Sequence, residues 1–130
     1  MFTACTGNTD TTDEEDITNE TNKSYQTVSA ETAKTMMDTD PAVIIVDVRT
    51  PDEYANGHIP EAILIDSTTV GTTPPALLPD LESTILVYCR SGNRSAQVAA
   101  KLAAMGYTKV YDFGGINNWP YEKVIGAWKE

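Results

Sequence analysis

The chain has 130 residues, which is enough for one domain, because two independently folded cores would each be unusually small. Its composition of 41% apolar and 22% charged residues is that of an ordinary soluble protein, and no apolar run approaches the roughly 20 residues that span a bilayer. The formal net charge of -10, with only nine Lys and Arg, argues against a nucleic-acid partner, because phosphate contacts require a basic face.

The first 24 residues differ in composition from the rest of the chain. They hold six acidic residues and one basic residue, and Ile17 is the one large apolar residue between positions 6 and 24. Such a segment cannot bury enough apolar surface to fold. We therefore predict a disordered acidic leader or tether over 1–24 and one folded domain over 25–130.

Cys5 and Cys89 are the two cysteines, too few for a disulfide scaffold and without the spacing of metal ligands. The residues around Cys5 resemble the end of a bacterial lipoprotein signal, in which small residues precede a cysteine that becomes lipidated. The apolar region that precedes the cysteine in such signals is missing here, which this interpretation explains by removal of the signal before Met1. This interpretation predicts a lipid anchor in the cell envelope, outside the cytoplasm. In the alternative, Cys5 is incidental in a disordered tail and the protein is cytoplasmic.

From residue 25 onward, strand patterns alternate with helix patterns. In chain order, the predicted elements are a strand over 25–28, a helix over 30–37, a strand over 43–46, a short helix from 51, a strand over 63–65, one helical turn at 76–78, a strand over 85–88, a helix over 96–105, a strand over 109–112 and a short helix over 116–119. Ser29 and Thr50 are predicted N-caps, Gly106 is expected to end the 96–105 helix, and Gly114 and Gly115 are expected to open the last one.

This alternation predicts an α/β fold, a parallel sheet with helices on both faces. Ligands in such folds bind beyond the carboxyl ends of the strands. Asp47 and Cys89 both follow apolar strand runs. We therefore expect both residues at the binding edge of the sheet.

The run from Val87 to Ser95 predicts a thiolate site. It places Cys89 at the end of a buried strand and before a loop that opens a helix, so that backbone N–H groups and the positive helix N-terminus face the sulfur. Arg90 and Arg94 add two positive charges, and Gly92 allows a tight turn. We expect the pKa of Cys89 to lie well below the ~8.5 of a free cysteine. The alternative is an inert cysteine at a strand end.

Three separated motifs resemble the rhodanese family, in its single-domain thiosulfate sulfurtransferase form, across roughly Tyr25 to Trp128. They are Asp47–Tyr54 running into 57–62, the loop Cys89–Arg94, and Gly114-Gly115-Ile116 with Trp119. Glu61 stands where the family usually has glycine, which affects a turn away from the loop. The resemblance implies a five-stranded parallel sheet with helices on both faces, and a loop cysteine that carries a persulfide.

The loop length favours sulfur transfer over phosphate chemistry. In the related cell-cycle phosphatases and arsenate reductases five residues separate the cysteine from the arginine, whereas four separate Cys89 from Arg94. The tighter loop fits one extra sulfur, held by inward N–H groups. The substrate-binding residues that this implies are Arg90, Ser91, Gly92, Asn93, Arg94 and Ser95.

The resemblance implies a sulfurtransferase that moves a sulfane sulfur from thiosulfate or a similar anionic donor, through a Cys89 persulfide, to cyanide or a thiol acceptor. We expect a monomer without cofactor or metal. One alternative is a non-catalytic docking module, although such rhodanese-like units commonly lack the cysteine. Another is a carrier that passes its persulfide sulfur to a partner protein.

Other polar residues near the motifs are assigned supporting roles. Arg94 is predicted to stabilise the loop by pairing with Glu53 or Asp47, and Arg90 to project toward the sulfonate of the donor, unless either is a solvated surface charge. Asp47 and Arg49 are predicted to orient the loops around the site. His58 is expected to be a turn residue bonded to backbone, because transfer from a formed thiolate needs no general base.

Overall fold

The computed structural model describes residues 25–129, which form one five-stranded sheet in the order β1-β5-β4-β2-β3. In chain order the elements are β1 Gln26–Thr27, α1 Ala30–Thr39, β2 Ile44–Asp47, α2 Pro51–Asn56, β3 Ile63–Leu64, a 3-10 turn Ser67–Thr69, β4 Thr84–Cys89, α3 Asn93–Met105, β5 Lys109–Gly115 and a 3-10 turn Ile116–Asn118. All four strand pairs are parallel. The predicted fold class is confirmed.

The two faces of the sheet are buried in two separate cores. Side chains of β4 alternate between them, because successive residues of a strand point to opposite faces. Ile85, Val87 and Cys89 pack in the core that contains α3 residues, whereas Leu86 and Tyr88 pack in the core that contains α1 and α2 residues. β4 is therefore a central strand covered on both faces, as its unbroken apolar run indicates.

Local capping explains where the helices around the site begin. The Ser29 side chain accepts a hydrogen bond from the Thr32 N–H at 3.0 Å, and Thr50 and Glu53 form a reciprocal capping box at the start of α2. Pro51 occupies the first helical position, where its missing N–H costs no hydrogen bond. Gly106 ends α3 in the left-handed conformation. The predicted caps Ser29, Thr50 and Gly106 are confirmed.

Three predicted elements need correction. α3 begins at Asn93, three positions before the expected residue 96, because the chain already turns into the helix at Gly92. β5 continues through Gly114 and Gly115, since the ladder with β4 resumes at Gly115 after a bulge, and only a 3-10 turn follows it. The predicted helical turn at 76–78 is absent. The chain forms an isolated turn there, in which the Leu78 N–H donates to the carbonyl of Pro75 at 3.0 Å.

Glu61 is the single non-glycine residue with positive φ in the described part of the chain, at 71°. This left-handed conformation places a Cβ close to the backbone and is unfavourable for residues other than glycine. The departure from the family pattern noted in the sequence therefore coincides with local strain.

The predicted leader over 1–24, including Cys5 and its lipid anchor, lies outside residues 25–129. Within that range, no helix combines the length and apolar character needed to cross a membrane.

Candidate active site

Cys89 is the last residue of β4, and its side chain is fully buried on the face covered by α3. The chain then turns at Gly92, whose φ of 105° lies in the left-handed region that favours glycine. This turn places the Gly92 N–H 3.0 Å from Cys89 Sγ. The sulfur therefore lies in a cradle of backbone donors, and we call residues 90–95 the Cys89 loop.

The surroundings of the sulfur favour its anionic form. Burial raises the pKa of Cys89, but hydrogen bonds from the Ser95 side chain and from three backbone N–H groups outweigh burial and lower the pKa below its ordinary value. These N–H groups belong to Ser95, Gly92 and Ser91. A cysteine with a lowered pKa supplies more thiolate, the form that acts as a nucleophile.

Ser95 connects the sulfur to a buried carboxylate. Its Oγ lies 3.6 Å from Cys89 Sγ and 2.7 Å from Asp112 Oδ1, and Asp112 also accepts the Gly114 N–H at 2.9 Å. Ser95 is fully buried and Asp112 is 6% exposed. The hydroxyl has one proton, so Asp112 and the Cys89 thiolate compete for the same donor.

Gly115 lets β5 lie directly against the Cys89 loop. A Cβ at this position would be 2.2 Å from the Arg90 carbonyl oxygen and 2.6 Å from Ser91 Cα. Just beyond it, the Asn117 N–H donates to the same Arg90 oxygen at 3.2 Å. The closing glycine motif therefore supports the loop through backbone contact.

Arg94 and Glu53 connect the Cys89 loop to α2. The Arg94 guanidinium forms two bonds with the Glu53 carboxylate, at 2.9 and 3.1 Å. This pairing, assisted by the capping bond from Thr50 and opposed by burial, lowers the pKa of Glu53 to about 2. Of the two partners predicted for Arg94, Glu53 is the one that it binds.

Asp47 pairs instead with Arg49, in a largely buried network on the opposite face of the sheet. The carboxylate accepts bonds from Arg49 Nε and Nη2, the latter at 2.7 Å, and from the Tyr88 hydroxyl at 2.7 Å. Arg49 also donates to the carbonyl of Gly57 at 2.7 Å, and the Ile59 N–H donates to Tyr88. This network fixes the chain after α2 against β2 and β4.

An open cavity of about 410 Å³ lies beside the Cys89 loop. It is lined by Arg49, Glu53, Asn56, Gly57, Arg90, Ile116, Asn117 and Lys123. Arg90 is exposed, and Cys89 itself is not among the lining residues. No group of three or more His, Cys, Asp and Glu suited to a metal ion occurs between residues 25 and 129.

Comparison with known proteins identifies the family of this arrangement. The Rhodanese-like domain family model matches residues 29–122. The chain belongs to the rhodanese family. It is 37% identical over 81 residues to thiosulfate sulfurtransferase PspE of Escherichia coli, covering 62% of this chain and 78% of that protein. It is 33% identical over 88 residues to thiosulfate sulfurtransferase GlpE of Pseudomonas syringae, covering 64% and 81%.

Solved rhodanese structures share the fold. A structure described as rhodanese with anions from E. coli is 35% identical with a TM-score of 0.59, covering 65% of this chain and all of that one. A rhodanese-like domain protein from Staphylococcus aureus is 32% identical with a TM-score of 0.66, covering 78% and 99%. The family resemblance drawn from the three motifs is therefore confirmed.

The rhodanese domain brings the predicted loop residues together around one sulfur, although they contribute differently. Backbone N–H groups of Ser91, Gly92 and Ser95 face Cys89, whereas Arg94 turns its side chain to Glu53. Asn93 is exposed at the start of α3. Among the hydrogen bonds of residues 25–129, none joins Asn93 to the Cys89 sulfur.

His58 lies in the turn expected for it. Its Nδ1 is 2.8 Å from the carbonyl oxygen of Tyr54, and the two rings stack with centroids 3.7 Å apart. Its backbone forms two bonds of 2.8 Å with Val124. His58 therefore organises the chain next to the cavity and makes no contact with Cys89.

Sequence reasoning missed Asp112 and Lys123. Asp112 is a carboxylate within an apolar strand run, a signal that could have singled it out, because buried acids need specific partners. Lys123 lies in a C-terminal segment without periodic pattern. No local signal indicates that this segment returns to the site.

Proposed function

We propose that this rhodanese domain is a sulfurtransferase in which Cys89 carries the transferred sulfur as a persulfide. The observation that carries the proposal is the cradle of N–H groups around a buried cysteine with a lowered pKa. Such donors stabilise negative charge on a sulfur at this position. Two relatives named thiosulfate sulfurtransferase support the same reaction class.

The proposed reaction has two displacement steps. The Cys89 thiolate attacks the outer sulfur of thiosulfate, the sulfur–sulfur bond of thiosulfate breaks, and sulfite leaves with the electron pair. The new terminal sulfur carries the negative charge toward the loop N–H groups. Cyanide or a thiolate then attacks that terminal sulfur, and Cys89 leaves as the thiolate, so that no external oxidant or reductant is required.

The side chains divide the remaining tasks. Arg94, held by Glu53, keeps the first turn of α3 in place and adds positive charge near the sulfur. Arg90 is exposed at the cavity and is proposed to meet the sulfonate of the donor. Asp47 and Arg49 are proposed to act indirectly, by fixing the chain around Gly57.

Intact-protein mass spectrometry tests the proposal. Wild type and Cys89→Ser are incubated with thiosulfate, and half of each sample is then treated with cyanide. We expect wild type to gain about 32 Da, one sulfur atom, and to lose it with cyanide, whereas Cys89→Ser gains nothing. A folded, reduced wild type that gains no mass would contradict the mechanism and favour a docking role. A Cys89→Ser variant that gains as much as wild type would contradict the assignment of the persulfide to Cys89.

A further inference from the structure

The cavity beside the Cys89 loop is positively charged although the protein is acidic. Its charged lining residues are Arg49, Glu53, Arg90 and Lys123. Asp47 neutralises Arg49 and Arg94 neutralises Glu53, each through a direct ion pair. Arg90 and Lys123 form no ion pair with any residue between 25 and 129. The cavity therefore presents two uncompensated cations.

Lys123 is held at this cavity by the residues that follow it. Val124 and His58 exchange two backbone hydrogen bonds of 2.8 Å as an isolated antiparallel bridge, and the Gly126 N–H donates to the carbonyl of Ala55 at 3.0 Å. In an extended segment neighbouring side chains point to opposite sides. Val124 is half-buried and Lys123 is exposed, so the bridge directs the ammonium group outward over the cavity.

A second cleft shows that this charge is local. The cleft, about 240 Å³, lies next to α1 and contains the acidic residues Asp38, Asp40, Glu61 and Glu122. Lys34 neutralises Asp38, at 2.8 Å, which leaves three carboxylates uncompensated. Trp119, Tyr121 and Glu122 line this cleft and Lys123 lines the cavity, so the sign of the charge changes between Glu122 and Lys123. A small anion is attracted to the cavity and repelled from the cleft.

We propose that Lys123 is a donor-recognition residue, which together with Arg90 forms a two-cation clamp for the anionic end of the sulfane donor. This assignment rests on the function proposed above, and extends it to a residue of the C-terminal segment. The clamp selects small donors whose negative charge is delocalised over several oxygens, as on the sulfonate end of thiosulfate. Two separated cations can contact different oxygens of such a group.

Steady-state kinetics with thiosulfate and cyanide test the clamp in Lys123→Gln, Lys123→Arg and Lys109→Gln. Lys109 is the control, an exposed lysine at the opposite end of β5. We expect Lys123→Gln to raise the KM for thiosulfate roughly 2- to 5-fold, the size of one partly screened charge pair, with kcat unchanged. Lys123→Arg retains most of the affinity, and Lys109→Gln behaves as wild type.

Two further readouts separate charge recognition from a structural effect. The logarithm of kcat/KM for thiosulfate falls less steeply with ionic strength in Lys123→Gln than in wild type, because one attracting charge is gone. Removal of sulfur by cyanide from preloaded enzyme should slow less than loading by thiosulfate, since cyanide has no sulfonate group to contact both cations. Equal KM values for Lys123→Gln and Lys109→Gln would overturn the assignment.

Direct binding distinguishes failure of the clamp from failure of the proposed chemistry. In the Cys89→Ser background thiosulfate cannot react, so its Kd is measured by titration whether or not the wild type turns over. Lys123→Gln in that background should weaken binding by the same factor, roughly 2- to 5-fold. An unchanged Kd refutes the clamp, whereas weakened binding with no sulfur loading in wild type supports the clamp and refutes the persulfide cycle.

Discussion

Replacing Gly115 by alanine tests whether β5 fixes the Cys89 loop. The φ of Gly115 is -119°, which any residue adopts, so the substitution adds no backbone strain. Its effect comes from the new Cβ, 2.2 Å from the Arg90 carbonyl oxygen, where ordinary contact begins at 3.4 Å. The loop or β5 must therefore move by about 1 Å, and neither neighbour is a side chain that can rotate away.

We expect Gly115→Ala to lower the free energy of unfolding by about 3 kcal/mol, at the upper end of the usual cost of overpacking. The shift also moves the Gly92 N–H away from its 3.0 Å contact with the sulfur, so persulfide formation should slow markedly. Urea denaturation followed by tryptophan fluorescence measures the first effect, and mass spectrometry after a timed exposure to thiosulfate measures the second.

Gly71→Ala is the matched control, because a Cβ there meets nothing within 4 Å and φ is not in the positive range. It should stabilise the protein by about 0.4 to 1 kcal/mol, through the loss of freedom in the unfolded chain. If Gly115→Ala unfolds at the same urea concentration as Gly71→Ala and loads sulfur at the wild-type rate, the close approach of β5 to the loop does not exist in solution.

Three further substitutions report on individual contacts. Glu61→Gly relieves the left-handed backbone and should stabilise the protein by about 0.5 to 1 kcal/mol in urea denaturation; destabilisation would mean that the Glu61 side chain makes a compensating contact. The folded-state pKa of Glu53 lies below its unfolded value, so its pair with Arg94 stabilises the protein above pH 4.5, and this contribution is lost as the pH falls toward 2. Glu53→Gln should therefore lower the free energy of unfolding by about 1 to 2 kcal/mol at pH 7, after solvent screening of the part-exposed pair, and by almost nothing near pH 2, as measured by urea denaturation. A difference in unfolding free energy that is independent of pH would contradict the pairing. Asp112→Asn replaces the carboxylate that competes for the Ser95 hydroxyl with a neutral amide oxygen, a weaker acceptor, and should lower the pKa of Cys89, measured from the pH dependence of alkylation. The decrease should be smaller in a Ser95→Ala background, where only the loss of the Asp112 charge acts on the sulfur.

The sequence predicted those features whose causes are local. The apolar run before Asp47, the caps Ser29 and Thr50 and the strand before Cys89 all depend on neighbouring residues, and the structure has each of them. Gly115 was misassigned because its extended conformation is set by pairing with Cys89, a partner that local patterns do not reveal.

The composition of the site could be predicted only in part, for the same reason. Backbone donors follow from the short loop itself, so their placement around Cys89 could be anticipated. The partner of Arg94 remained open between two acids, because both Glu53 and Asp47 lie in the first motif and only packing decides between them. Lys123 reaches the cavity through a bridge to His58, which leaves no pattern in either segment.

Glu53 takes part in the first turns of two helices at once, since it closes the capping box of α2 and binds Arg94 in α3. The Cys89 loop therefore cannot open without loosening the start of α2, and the two turns form one cooperative unit for local unfolding. In native-state hydrogen exchange, the amides of 91–95 should exchange together with those of Glu53 and Tyr54. The N–H groups that face the buried nucleophile at the end of β4 therefore open only together with the start of α2, and the arriving sulfur meets donors that are already in position.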